Sequence, residues 1–392
     1  LLQDEFREEK QLAYFRSKFA AASYKIDTYH LFIEQAIRIT GPGGRCAMIT
    51  PANYLTNNHL DMLRRLILER CSIERIVVID GGVFKGISVD NAIFVVSPGH
   101  PTHGAFEVMH ARIEGTNVCP SSAIRVSSRN ALAEEHVLFT GTSGSALARL
   151  WERSAGRSWT LGQIADVNFG KQLRDRKKFT QDVISVSGVR AIPATHRPCY
   201  SGRDIVRYSL TWGRLACLND EAARCGGCWD GAKHDARNKL LTRQIGRYPE
   251  FAIDTVGWHC LNTMFMVNLR AVRLNPLYVL GVLNSKLIRA LWLDRFYDQR
   301  RTFPKIKGTY LKRLPIRVLD LSKPADESRH ERMVQSVGQM LEMNQRLPTV
   351  RTPQEKTALE RQIAAADAQI DRLVYDLYGL TGEEIQIVEG AG

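Results

Sequence analysis

The stretch "DTYHLFIEQAIRITGPGGRCAMITP", residues 27–51, constrains the fold more than any other. Tyr29, Phe32, Ile33, Ala36 and Ile37 recur at helical spacing, which predicts a helix from Thr28 to Ile39. Gly41-Pro42-Gly43-Gly44 then stops the helix and turns the chain. The apolar run "CAMIT" reads as a strand, and its continuity predicts a central parallel strand covered on both faces. A second helix, "LDMLRRLILER", leads to the strand "IERIVVID", and the "GGVFKGIS" loop leads to a third strand, "NAIFVV". This alternation is the end of a doubly wound α/β sheet, where ligands lie beyond the carboxyl ends of the strands. The loops beginning at Thr50-Pro51 and Asp80-Gly81 are therefore the places to look for chemistry.

The pattern changes downstream. Short strands, many Gly and Arg residues and one long apolar helix over residues 276–297 predict an α+β domain. In the tail, Met333, Val337, Met340, Asn344 and Leu347 step by 4 and 3, and so do Leu359, Ile363, Ala366, Ile370, Leu373 and Leu377. With "RLPTVRTPQ" between them they predict a helical hairpin. The expected organisation is an α/β portion over residues 1–115, an α+β domain over 116–320 and the hairpin over 321–392. A chain of 392 residues has room for three such cores.

Charge separates these parts. Residues 1–150 carry 16 Lys and Arg against 15 Asp and Glu, a net of +1. Residues 151–320 carry 30 against 14, a net of +16, and residues 321–392 carry 8 against 12, a net of −4. A confined basic field of this size calls for a polyanion, most simply nucleic acid, and the interleaved aromatic residues suit double-stranded DNA as the partner. The field is built from clusters in which Arg and Lys interleave with aromatic residues, the composition that suits phosphate and base-edge contacts. The candidate DNA-binding residues are Lys171, Arg174, Arg176, Lys177, Lys178, Arg203, Arg207, Lys239, Arg243, Arg300, Arg301, Lys305 and Lys307. A brace between Arg203 and Asp204 is the alternative reading of "GRDIVRY".

Other classes are disfavoured. No apolar run approaches the roughly 18 residues of a membrane span, and no signal peptide opens the chain, so a cytoplasmic protein is expected. Eight cysteines in this length do not form a disulfide scaffold. Cys225, Cys228 and His234 hint at zinc, but one Cys-x-x-Cys without a matched second pair is a weak signal, and no metal is expected. "FTGTSGSALARLWERSAG", residues 139–156, imitates a phosphate loop. No strand–helix–strand unit with an acidic ribose ligand follows, so it reads as a linker and the first helix of the basic domain.

Three segments carry a resemblance. "DTYHLFIEQAIRIT", "GPGGRCAMITPANYL" and "GGVFKGISVDNAIFVV" resemble, in order, the helix after the catalytic loop, the Gly-Gly strand and the base-pocket loop of amino-type, N6-adenine DNA methyltransferases. "PCYSGRDIVRY", "VLGVLNSKLIRALW" and "YLKRLPI" resemble a TaqI-like specificity domain, and "IDRLVYDLYGLTGEEIQIVE" is similar to the carboxyl end of large restriction-modification enzymes. The resemblance implies the carboxyl-terminal half of a Rossmann-like methyltransferase domain, then an α+β target-recognition domain, then the hairpin. It implies methyl transfer from S-adenosylmethionine to N6 of a flipped adenine, directly and without metal. Phe84 would stack on that adenine, and Thr28, Phe32 and Pro51 would line the cofactor pocket.

The family's cofactor loop and Asn-Pro-Pro-Tyr precede the helix at 27, and that tetrapeptide does not occur here. The expectation is therefore an incomplete cofactor site, inactivity of this chain alone, and a partner in the missing amino-terminal methyltransferase half. Many such polypeptides also carry a nuclease. A DNA-binding specificity subunit without chemistry is the alternative reading, and an RNA methyltransferase is a third, disfavoured by the large basic domain.

Overall fold

The computed structural model describes residues 9–22, 26–79, 83–84, 91–99, 101, 104–115, 117–133, 137, 139, 146–186, 191–270, 275–297 and 304–391. The chain divides into two compact units, residues 1–148 with 298–302, and residues 149–297 with 303–392.

In the first unit, helices α1 (Glu9–Lys18), α2 (Thr28–Ile39) and α3 (Asp61–Arg70) accompany five strands: β1 (Cys46–Pro51), β2 (Cys71–Ile79), β3 (Asn91–Pro98), β4 (Ala105–Glu114) and β5 (Asn117–Ser127). The sheet order is β1-β3-β2-β4-β5. Strand β3 runs antiparallel to both neighbours, β2 and β4 are parallel, and β4 and β5 form an antiparallel pair. Ile33 and Ile37 of α2, Leu63 and Ile67 of α3, and Phe94 and Val96 of β3 share one buried core.

Two expectations change here. Among the described residues β1 is an edge strand, antiparallel to its one neighbour, and not a central parallel strand. Its burial alternates accordingly: Cys46 and Thr50 are buried, whereas Ala47 and Ile49 are exposed, so an apolar run need not have two covered faces. A boundary at residue 115 would cut the β4–β5 pair, whose register ends at Glu114 opposite Asn117.

The second unit begins within α4 (Ala146–Ala155), the helix expected after the glycine-rich stretch; residues 140–145 of that stretch lie outside the described residues. It contains β6 (Ala165–Phe169), β7 (Val183–Ser185), β8 (His196–Tyr200), β9 (Leu215–Leu218), β10 (Lys239–Arg243), β11 (Phe251–Asp254), β12 (His259–Cys260) and β13 (Met264–Leu269). One sheet has the order β11-β10-β13-β6, and a second has β12-β8-β9-β7. Gly170 lets the chain pass β12 closely, since a Cβ there would lie 2.2 Å from the Leu261 carbonyl oxygen.

The long apolar helix is in fact two, α5 (Pro276–Leu283) and α6 (Lys286–Arg295). Asn284 and Ser285 break it. The Asn284 amide donates to the Phe251 carbonyl and its oxygen accepts from Phe251 N, both at 2.9 Å, while Ser285 Oγ caps α6 by accepting from Ile288 N. The expected tail helices are α7 (Pro324–Arg346) and α8 (Pro353–Tyr378), followed by α9 (Gly382–Gly390). They belong to the second unit and not to a third. Gly281 of α5 admits α7, because a Cβ there would meet Met333 Sδ at 2.7 Å. No helix among the described residues is long and apolar enough to cross a membrane.

Candidate functional site

At the carboxyl end of β1, Thr50 lies opposite Ala92, and Pro51 lies opposite Asn91, which also faces Ile79 at the end of β2. The ends of two strands and the start of a third thus meet where chemistry was expected. The next turn, residues 52–55, is pinned from two sides. Tyr29 of α2 donates its hydroxyl to Asn53 Oδ1, and the buried Arg64 of α3 donates to the carbonyls of Tyr54 and Val137. Burial pushes the Tyr29 hydroxyl well above its ordinary pKa, so it remains a donor.

Several polar groups around this strand end are buried without a hydrogen-bond partner: Thr50 Oγ1, Asn91 Oδ1, Tyr54 OH and His30 Nε2. Burial lowers the His30 pKa to about 4, so the imidazole is neutral. Its Nδ1 accepts from Asp27 N, which leaves Nε2–H as a donor. An orphaned buried polar atom costs about 1–3 kcal/mol, so Thr50 and Asn91 at the strand ends suit a polar ligand better than a closed core. Sequence reasoning pointed to the loop beginning at Thr50-Pro51 but gave no role to the side chains of Thr50, Asn91 and His30, because only burial without a partner distinguishes them from ordinary core polar residues.

Thr28 and Phe32 lie one turn apart on α2; Thr28 is half-buried and Phe32 is 63% exposed. Pro51 is half-buried at the end of β1, and Phe84 is 48% exposed in the segment between β2 and β3. A bare aromatic ring in such a segment makes little contribution to a core. Asp80, Gly81 and Gly82 lie outside the described residues.

The basic residues of the second unit fall into two groups, and the division corrects the uniform reading of the clusters. Lys239 is 1% exposed, and its Nζ donates to Asp254 and to the carbonyls of His234 and Ala236. Lys171 is equally buried, donates to Asn219 Oδ1 and lies 4.6 Å over the Trp229 ring. Arg174 grips Asp182 through two bonds of 3.0 and 2.6 Å, and Arg243 pairs with Glu250. Arg207 reaches 160 residues along the chain to Asp367 of α8 while donating to the Asn284 carbonyl. These five are committed inside the unit, four of them to carboxylates and Lys171 to an amide oxygen and an aromatic ring.

Arg176, Lys177, Lys178, Arg203 and Lys305 are exposed, and Lys307 is half-buried over Tyr310. Arg300 and Arg301 lie outside the described residues. In the "GRDIVRY" stretch the brace is made by Arg207, whereas Asp204 accepts from Ser201 N at 2.8 Å in its own turn. At the Cys-x-x-Cys, both nitrogens of His234 are in use: Nε2 contacts the Cys228 carbonyl and Nδ1 accepts from Cys260 N. Among the described residues no group of three or more His, Cys, Asp or Glu side chains could hold a metal ion.

Residues 2–84 match the family model of the Eco57I restriction-modification methylase, and residues 197–316 match that of the TaqI-like C-terminal specificity domain. None of the curated proteins matches the chain. Among solved structures, the type IIL restriction-modification enzyme MmeI in complex with DNA aligns with a TM-score of 0.52 at 11% identity, covering 98% of this chain and 55% of that one. The ATP-dependent type ISP restriction-modification enzyme LlaBIII bound to DNA gives 0.48 at 10% identity, covering 88% and 28%. The type IIG restriction endonuclease BpuSI gives 0.34 at 11% identity, covering 96% and 53%. The chain therefore spans about half the length of the MmeI chain. The likeness to MmeI is one of fold, and the two matched segments are similar to parts of restriction-modification methylases. More particularly, a segment similar to the Eco57I restriction-modification methylase precedes one similar to the TaqI-like C-terminal specificity domain.

Proposed function

We propose that this chain supplies the target-recognition part and one wall of the reaction pocket of a DNA methyltransferase acting on N6 of adenine. The observation that carries the reading is the order of parts, a methylase segment ahead of a specificity domain on one polypeptide. The bare edge of β1 supports it too. Among the described residues that edge has no neighbour, and the exposed Ile49 and Phe32 lie on β1 and the adjoining α2. A strand from the amino-terminal methyltransferase half would pair there and bring the cofactor loop and the catalytic tetrapeptide.

The orphaned polar atoms and the exposed Phe32 suit S-adenosylmethionine, which supplies an electrophilic methyl group on sulfur when bound. Phe32 and Thr28 would meet its adenine, and Pro51 would line the pocket beside them. Phe84 offers its ring to an extrahelical adenine, offsetting part of the stacking lost on flipping. The exposed Arg176, Lys177, Lys178, Arg203 and Lys305 hold DNA phosphates and orient the duplex.

Labelled S-adenosylmethionine and an adenine-containing duplex test this. The chain alone should give no transfer. Supplied with a polypeptide that carries the cofactor loop and Asn-Pro-Pro-Tyr, it should produce N6-methyladenine at a defined site. Methylation of cytosine or of RNA under those conditions would overturn the reading.

A further inference from the structure

A cleft far in sequence from the methylase segment has the chemistry of an anion site. It lies in the second unit among the end of α4, the segment after residue 316, the start of α7 and the end of α8. Its volume is about 210 Å³, and Arg153, Arg157, Arg317 and Arg329 contribute to its wall. Two of these charges are already matched: Arg153 pairs with Glu384 at 2.7 Å and Arg329 with Asp326 at 2.8 Å. Arg157 and Arg317 have no acidic partner among the described residues; the Arg317 guanidinium donates to the Arg157 carbonyl.

Ser154 lines the same cleft. It is 4% exposed, and its Oγ has no hydrogen-bond partner. Hydroxyl groups so placed are costly to leave unmade, and guanidinium groups are the side chains best shaped for a planar or tetrahedral oxyanion.

A second cavity of about 270 Å³ adjoins the first, sharing Arg329, Asp376 and Leu377. It adds an apolar floor of Tyr278, Met333 and Leu373 and one more cation, Arg332, also without an acidic partner among the described residues. The joint cleft thus offers three unmatched guanidinium groups against one unmatched carboxylate, Asp376. That excess suits a dianion better than the single charge of a phosphodiester, and the apolar floor suits a non-polar body attached to it.

We propose that this cleft binds a phosphomonoester, with the phosphate held by Arg157, Arg317 and the Ser154 hydroxyl and the body of the ligand on Tyr278 and Met333. A free nucleoside monophosphate and the 5′-phosphorylated end of a DNA strand both have this chemistry. Calorimetric titration of the full chain with inorganic phosphate, adenosine monophosphate and adenosine should give binding for the first two, tightest for the monophosphate, and none for adenosine. Arg157→Gln should weaken monophosphate binding at least tenfold with an unchanged melting temperature, because its guanidinium has no acidic partner to lose. Ser154→Ala should weaken it severalfold. A duplex with a 5′-phosphate that binds more tightly than its 5′-hydroxyl counterpart, with the difference abolished by Arg157→Gln, would identify a DNA end as the source. Equal binding of the two duplexes, with free monophosphate still bound, would identify a small molecule. Absence of binding by both phosphate and monophosphate would overturn the proposal, as would monophosphate binding that Arg157→Gln and Ser154→Ala leave unchanged.

Discussion

Replacing Lys239 with Met separates a structural lysine from a DNA-binding one. The Lys239 ammonium is wholly buried, bonded to Asp254 and to two backbone carbonyls. Asp254 in turn accepts from the N–H groups of Val256, Gly257 and Trp258 at 2.9–3.1 Å, which fixes the turn between β11 and β12 with Gly257 at φ +89°. Removing the lysine therefore leaves a buried carboxylate without its cation and two carbonyls without their donor. Breaking a buried pair from one side costs about 3–5 kcal/mol. For a unit of this size that corresponds to a fall in melting temperature of roughly 6–20 °C. The assay is thermal or denaturant unfolding of Lys239→Met beside DNA-binding titrations at several salt concentrations, performed below the new midpoint. Stability should drop by that amount, and the salt slope of DNA binding should stay as in the parent chain, because no phosphate contact is lost. An unchanged midpoint with a shallower salt slope would refute the argument and return Lys239 to the DNA surface.

Changing Arg176, Lys177 and Lys178 together to Ala should do the reverse, leaving the midpoint within about 1 kcal/mol while reducing the salt slope by nearly one unit per lost phosphate contact. In the assembled enzyme Phe84→Ala should weaken handling of the flipped adenine by roughly ten- to a hundredfold, and Phe84→Trp should retain much of it, read by turnover and by a fluorescent base analogue at the target; no change in either would make Phe84 ordinary packing. Burial raises Asp371 to about 6, against the opposing pull of the Lys286 N–H. A carboxyl raised on folding contributes stability that is fully present below its unfolded value, near 4, and lost as pH rises through about 6. Asp371→Asn should therefore gain up to about 3 kcal/mol over the parent at pH 8 and little at pH 4, in denaturant midpoints measured across that range; parallel pH curves for the two proteins would contradict this.

Much of the architecture is legible in the sequence where periodicity is strong. The helix at Thr28, the strands at Cys46, Cys71 and Asn91 and both tail helices follow from spacing and stop signals alone. What eludes sequence reasoning depends on partners distant along the chain. Lys239 and Lys178 look alike in a basic cluster, yet one meets Asp254 in a neighbouring strand and the other faces water. Arg207 could be assigned as a brace only once Asp367 was found beside it. The break at Asn284-Ser285 is invisible to hydropathy, because apolar residues continue on either side, and it is imposed by a polar side chain that bridges both backbone groups of Phe251. At the strand ends, Thr50 and Asn91 lie within recognisable motifs, but that their side-chain atoms are buried and unpaired shows only in three dimensions.

The central claim is that the second unit reads DNA sequence on behalf of the methylase segment. Its most direct measurement is selection of duplexes bound by this chain from a random pool at physiological salt, followed by sequencing. The account predicts convergence on one defined motif that contains adenine, with affinity for that motif falling steeply as salt rises. Enrichment of no motif, or binding that is the same at low and high salt, would contradict it.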